Sequence, residues 1–152
     1  MRNIKQFDKE YSIEEYIKKE VLSNRGTQCM AFKEDLCYLC EKSGIPLTGK
    51  ETKEVMYDKL ISNGYTHQML AEEFGVGVSS QVYQQEFNIT HKDVKWLEKN
   101  GKIRKIGEYR FRAYGKYLYA PLYDIYQFAS ITENEIQDML EKRTVRTKSG
   151  SR

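Results

Sequence analysis

A mainly α fold with a small antiparallel β wing is what this chain predicts, and three observations predict it. Apolar residues recur at helical spacing, behind recognisable capping residues, from Ser12 to Gly101. After Gly101 the period drops to two: in "YRFR", Tyr109 and Phe111 face one way and Arg110 and Arg112 the other. The chain has 152 residues, 31% charged and 39% apolar, enough for one compact domain or two small ones.

Each element has its own signal. Ser12 with Glu15 is a capping box opening a helix over 12–22, with Ile13, Tyr16, Ile17 and Val21 on one face; Asn24 and Gly26 end it. A second helix spans 30–42, with Phe32, Leu36, Leu39 and Cys40 inward, closed by Gly44 and Pro46. A third spans 52–63, with Val55, Met56, Leu60 and also Lys59 as its inner edge. Thr66 opens a short helix carrying Met69, Leu70 and Phe74, ended by Gly75. "GVGVSS" reads as the most flexible interior stretch, so a boundary is expected near 64–80. Two helices follow across a tight turn, 81–87 and one N-capped by Thr90 with Asp93; Val94, Trp96 and Leu97 supply its apolar contacts. Strands are expected at 102–106, 109–113 and 116–120, with Pro121 ending the sheet and a helix over 122–128. Thr132 with Glu135 caps the last helix. Residues 143–152 hold four basic residues and no acid, and read as a disordered tail. The expected organisation is a helical module over 1–65, a connecting helix or linker over 66–80, and a third unit over 81–142.

Composition removes several classes of function. The longest apolar runs are too short to span a membrane. The first 20 residues hold five acids and no apolar segment, so a cytoplasmic location is expected rather than secretion. Cys29, Cys37 and Cys40 are an odd number and read as free thiols. Cys37 and Cys40 point the same way on a helix; with Cys29 and His67 or His91 they could build a zinc site. No second pair at similar spacing exists, so helix packing is the preferred reading. There are two histidines, no phosphate-binding glycine loop and no nucleophile motif. The expectation is a non-enzymatic protein without cofactor or metal.

Charge distribution says more than net charge. Between Lys92 and Lys116 lie nine Lys/Arg and three acids, a local excess of +6, against +3 for the whole chain. Such clustering fits a polyanion partner; the bland alternative is a solvated helix and strand face. Eight of the twenty residues from 109 to 128 are Tyr or Phe. The alternation favours a small tyrosine core over exposed stacking platforms.

Residues 33–65 carry a Leu-bearing helix, "GIPLTGK" and a second helix ending in "KL". The matching positions are Leu36, Leu39, Gly44, Ile45, Pro46, Gly49, Lys50, Val55 and Leu60. This resembles the helix–extension–helix unit of SAP and LEM-type modules, with one extra residue after Gly49. The resemblance implies that Lys50, Thr52 and Lys53, at the start of the second helix, approach DNA phosphates, where a helix N-terminus favours an anion. A scaffold that binds no nucleic acid is the alternative.

Residues 81–128 run helix, turn, helix, "LEKNGKI", basic hairpin and "YAPLYDIYQF". This resembles the winged helix-turn-helix of excisionases and MerR-type regulators, over about a third of the chain. The resemblance implies that the second helix enters the major groove, with Thr90, His91, Lys92 and Lys95 exposed. The wing would lay Arg104, Lys105, Arg110, Arg112 and Lys116 along phosphates, giving affinity without sequence information. The partner expected is double-stranded DNA, and the role that of a phage or mobile-element accessory or regulatory factor. The alternative is a phage-type inhibitor, for example an anti-CRISPR protein, that binds a host nucleic-acid enzyme.

Overall fold

The computed structural model describes residues 1–23 and 30–150, with side chains described as far as Arg143. The architecture is mixed: eight helices with a two-stranded and a three-stranded antiparallel sheet among the described residues. The chain opens with a hairpin that the sequence did not announce, β1 Ile4–Gln6 paired with β2 Lys9–Tyr11. Phe7 and Asp8 form its turn with φ of 50° and 62°. Tight hairpin turns of this kind are normally signalled by Asn-Gly or Asp-Gly. Phe-Asp gives no such signal.

Four helices follow. In α1, Ile13–Leu22, the Ser12 hydroxyl accepts from the Glu15 N–H at 3.2 Å, which is the N-cap half of the expected capping box. α2, Lys33–Lys42, begins later than expected. Phe32 holds its N-cap position and donates its N–H to Asp35 at 2.8 Å. α3, Lys53–Ser62, packs on α2. Its inner edge is Met56, Tyr57 and Leu60, whereas Val55 and Phe32 point outward. α4, His67–Phe74, lies against α1.

The 66–80 stretch is not a loose connector. It supplies Leu70, Ala71, Val76 and Val78 to one core cluster that runs from Ile4 to Leu140. "GVGVSS" is tightly packed rather than flexible. Gly75 ends α4 with φ 66°. At Gly77 a Cβ would lie 2.4 Å from the Tyr123 carbonyl oxygen, so only glycine admits this backbone approach. The Tyr16 hydroxyl, from α1, donates to the Gly77 carbonyl at 3.0 Å.

Past β3, Val78–Ser79, come α5, Ser80–Phe87, and α6, His91–Lys99, joined through Asn88 in the left-handed conformation. β4 is one long strand, Lys105–Ala113, where two strands were expected. A bulge between Lys105 and Gly107 lets it bend without breaking. β5 is Lys116–Tyr123, and the sheet order is β3-β5-β4. Pro121 therefore does not end the sheet. β3 reaches only as far as Leu122, so at Pro121 the strand is an edge on that side, the setting in which a sheet tolerates proline. The helix expected at 122–128 is α7, Ile125–Ser130, capped by Asp124.

α8 runs Glu133–Gly150, through the stretch expected to be a disordered tail. Thr132 and Glu135 make the expected capping contacts, and the Asp138–Lys142 pair at 3.4 Å bridges successive turns. Arg and Lys towards a helix C-terminus suit its dipole, so the basic composition does not oppose a helix. Residues 151–152 lie outside the described residues.

Candidate nucleic-acid interface

The β4–β5 register decides which basic side chains share a surface. Arg110 pairs with Tyr119 and Arg112 with Tyr117, while Tyr109 pairs with Ala120 and Phe111 with Leu118. Directly opposed residues project to the same side of a sheet. One face therefore carries Arg110, Arg112, Tyr117 and Tyr119, and the other Tyr109, Phe111 and Leu118. The guanidinium carbons of Arg110 and Arg112 lie 4.5 and 5.7 Å from the Tyr117 ring centroid, in cation–π range.

The Arg/Tyr face is continuous with the helical core. Along β5 the alternation places Tyr123 on the same side as Tyr117 and Tyr119. The Tyr123 ring packs edge-on against Tyr83 of α5, and its hydroxyl donates to Glu98 of α6 at 2.6 Å. Burial first, then the Glu98 carboxylate, pushes the Tyr123 hydroxyl above the usual tyrosine range, so it stays protonated. This bond ties α6 to the root of the hairpin.

The expected tyrosine core forms only at the root of the hairpin, around Tyr123 and Phe128, and not at 109–112. The hairpin outruns the helices that could cover it, so neither face of its outer half is buried. Tyr114, Tyr117 and Tyr119 are 95%, 54% and 61% exposed, and Tyr109 and Leu118 are also exposed. These tyrosines belong to the candidate surface. The length of the hairpin against the two residues of β3 is the signal that would have found them.

On α6, Lys92, Lys95 and Lys99 are exposed at spacings of three and four, one stripe of the helix. Thr90 serves the helix itself: its hydroxyl accepts from the Asp93 N–H at 3.1 Å and its N–H donates to Asp93 at 3.0 Å. Burial opposes ionisation of Asp93, but the Thr90 N–H and Arg143 together hold its carboxyl below the ordinary value. Arg143 bonds Asp93 at 2.6 Å and lies 5.7 Å from the Trp96 ring, so α8 braces α6. The His91 ring is oriented by a 3.0 Å bond between Nδ1 and the Ser80 hydroxyl.

Not every expected cation is equally placed. Arg104 is held by Glu72 and by Asp124 at 3.2 Å, and Lys105 by Glu108 at 3.2 Å. Arg112 and Lys116 are exposed on the outer hairpin, where residues 109–119 contain no acid.

Lys50, Thr52 and Lys53 stand at the start of α3, as the helix–extension–helix resemblance implies, but are used locally. Thr52 accepts from the Val55 N–H at 3.3 Å. The Lys53 amine donates to the Ser23 and Ala31 carbonyls at 3.1 and 2.6 Å. Just ahead, the Glu51 carboxylate accepts from the Thr48 and Gly49 N–H groups at 2.7 and 2.9 Å and pairs with Lys59 at 3.6 Å. Those bonds, the Thr48 N–H foremost, hold its pKa at about 2. A resident carboxylate thus takes two loop N–H groups just ahead of α3, and the Thr52 hydroxyl takes one of the helix's own.

Cys37 and Cys40 are free thiols; Cys40 is buried and Cys37 lies near Glu41, while Cys29 falls outside the described residues. Among the described residues no group of three or more His, Cys, Asp or Glu could hold a metal ion, and no helix is long and apolar enough to cross a membrane. No family model, no curated protein and no solved structure matches this chain.

Proposed function

We propose that this chain is a non-enzymatic, winged helix-turn-helix protein that binds double-stranded DNA, with α6 in the major groove and the β4–β5 hairpin as its wing. The element order α4, β3, α5, α6, β4, β5, with sheet order β3-β5-β4, supports the winged reading. The observation that carries the functional reading is the hairpin face bearing Arg110 and Arg112, continuous with the side on which Tyr123 meets α6. Lys92 and Lys95 then serve the groove, and Arg110, Arg112 and Lys116 the phosphates. Arg104 and Lys105 contribute less, because carboxylates already hold them. The SAP-like unit acts in this reading as scaffold, since Lys53 and Glu51 are internally satisfied. A cytoplasmic phage or mobile-element accessory or regulatory factor is the role that fits.

A salt series tests it. Binding to a labelled mixed-sequence duplex is expected to weaken steeply with salt. The Arg110→Ala/Arg112→Ala variant is expected to flatten the log–log slope by about two. Absence of binding at low salt would sink the reading. The exposed tyrosines favour one rival, an inhibitor that docks on a host nucleic-acid enzyme, because tyrosine is enriched at protein interfaces.

A further inference from the structure

The tip of the hairpin has a feature that phosphate binding does not require. The turn is Tyr114-Gly115, with φ of 54° and 71°. Gly115 suits left-handed backbone. Tyr114 does not, because its Cβ crowds the following carbonyl; glycine, asparagine and aspartate are the residues that tolerate this turn position. Tyr114 is also 95% exposed, so its ring packs on nothing that would offset the strain. A strained aromatic that stabilises no part of the fold is informative when it stands at the tip of a hairpin whose outer residues, 109–119, hold no acid.

Its neighbours give the chemistry. Residues 109–119 hold three cations, Arg110, Arg112 and Lys116, no carboxylate, and five aromatics. Tyr117 lies within cation–π range of both guanidiniums. Positive charge interleaved with exposed rings is the pattern by which proteins receive nucleobases: cations track the backbone and rings take the base faces. The stretch 109–119 carries three cations and no carboxylate of its own, so charge complementarity favours the nucleic acid.

The geometry points to Tyr114 as a base-stacking wedge that inserts its ring against an unstacked or unpaired base of the bound duplex. This rests on the DNA reading above and adds to it a contact with bases at the wing tip. Such a wedge binds a locally opened duplex more tightly than a perfect one, because the unstacking is then already made.

The test titrates the full chain, Tyr114→Gly and Tyr114→Phe against two labelled duplexes. One is fully paired; the other carries a single bulged 2-aminopurine. Wild type is expected to prefer the bulged duplex and to change the 2-aminopurine emission. Tyr114→Phe keeps both properties, because the ring and not the hydroxyl is used. Tyr114→Gly loses the emission change and weakens bulged-duplex binding by about five- to a hundred-fold. Its thermal midpoint is unchanged or rises by about 2–4 °C as the turn relaxes, which separates this loss from misfolding. If wild type binds DNA and Tyr114→Gly binds the bulged duplex as tightly as wild type does, with the same preference over the paired one, the wedge is overturned and the DNA reading stands. If wild type binds neither duplex at low salt, both are overturned.

Discussion

The inner and outer halves of the β4–β5 hairpin are built from the same residue types and do opposite things. At the root, Tyr123 and Leu122 are buried, Gly77 admits β5 against the chain, and at Gly107 a Cβ would lie 2.4 Å from the Gly75 carbonyl oxygen. At the tip, Tyr114, Tyr117 and Tyr119 are open to solvent among arginines. What differs is reach. The helices and β3 cover the strands only near Tyr123, so a tyrosine there is core, and one a few residues out is surface. Residue type does not separate a buried aromatic from an exposed one; distance from the covering layer does.

The largest effect lies at the root. Gly77→Ala places a methyl 2.4 Å from the Tyr123 carbonyl oxygen and 2.9 Å from its nitrogen, and backbone cannot yield as a flexible side chain can. The expected cost is about 3 kcal/mol in urea unfolding. A change within about 0.5 kcal/mol would break the claim that close approach, not flexibility, placed glycine here.

Arg2 comes next. Its guanidinium bonds the Phe128 carbonyl at 2.5 Å and the Ile131 carbonyl, pairs with Glu86 at 3.3 Å, and lies 4.7 Å from the Phe87 ring centroid. The N-terminal hairpin is thereby stapled to α5 and α7. Arg2→Ala leaves the two carbonyls and Glu86 without that partner, and about 2 kcal/mol of stability is expected to go. Arg2→Lys recovers only part of it, because an ammonium lacks the planar fork.

Two smaller effects sharpen the account of the core. The Tyr83 hydroxyl is buried with no hydrogen-bond partner among the described residues, while its ring meets Phe87, Tyr123 and Phe128. Tyr83→Phe keeps the ring and removes the unsatisfied group, so stability is expected to rise by about 1 kcal/mol. Glu51 supplies a pH signature. Its folded pKa, about 2, lies below the ordinary 4.5. Its contribution is present above the ordinary value and is lost as pH falls towards 2. Glu51→Gln is expected to flatten the acid limb of a stability profile; an unchanged limb would show the Thr48–Gly49 bonds to be unimportant.

Local rules read directly into the structure where a contact lies within one turn. Ser12 and Thr66 cap the helices they were expected to open, and Thr90 with Asp93 closes a full capping box. The candidate cations of α6 and the hairpin alternation were legible for the same reason. Features set by distant partners were not. Val55 and Tyr57 are both apolar on α3, and only the packing of α3 decides that Tyr57 goes inward. Gly77 looks like a flexible residue until Tyr123 is placed against it. Tyr117 and Tyr119 look like core until the short β3 leaves them uncovered.

The smallest expected effect on stability tests the comparison most directly. Arg112→Ala/Tyr119→Ala removes a cation and a large ring from the outer hairpin, where neither touches the core. Surface substitutions away from caps and networks fall within about 0.5 kcal/mol, and this pair is expected to do the same. The same pair is expected to weaken binding to duplex DNA at low salt by about ten-fold or more, through one lost phosphate contact and one lost ring. A hairpin that merely decorated the fold would leave both measurements unchanged. One that was secretly part of the core would lose stability with binding. Only a surface maintained for a ligand gives a flat unfolding curve beside a shifted binding curve, because the groups removed contribute to the complex and not to the folded chain.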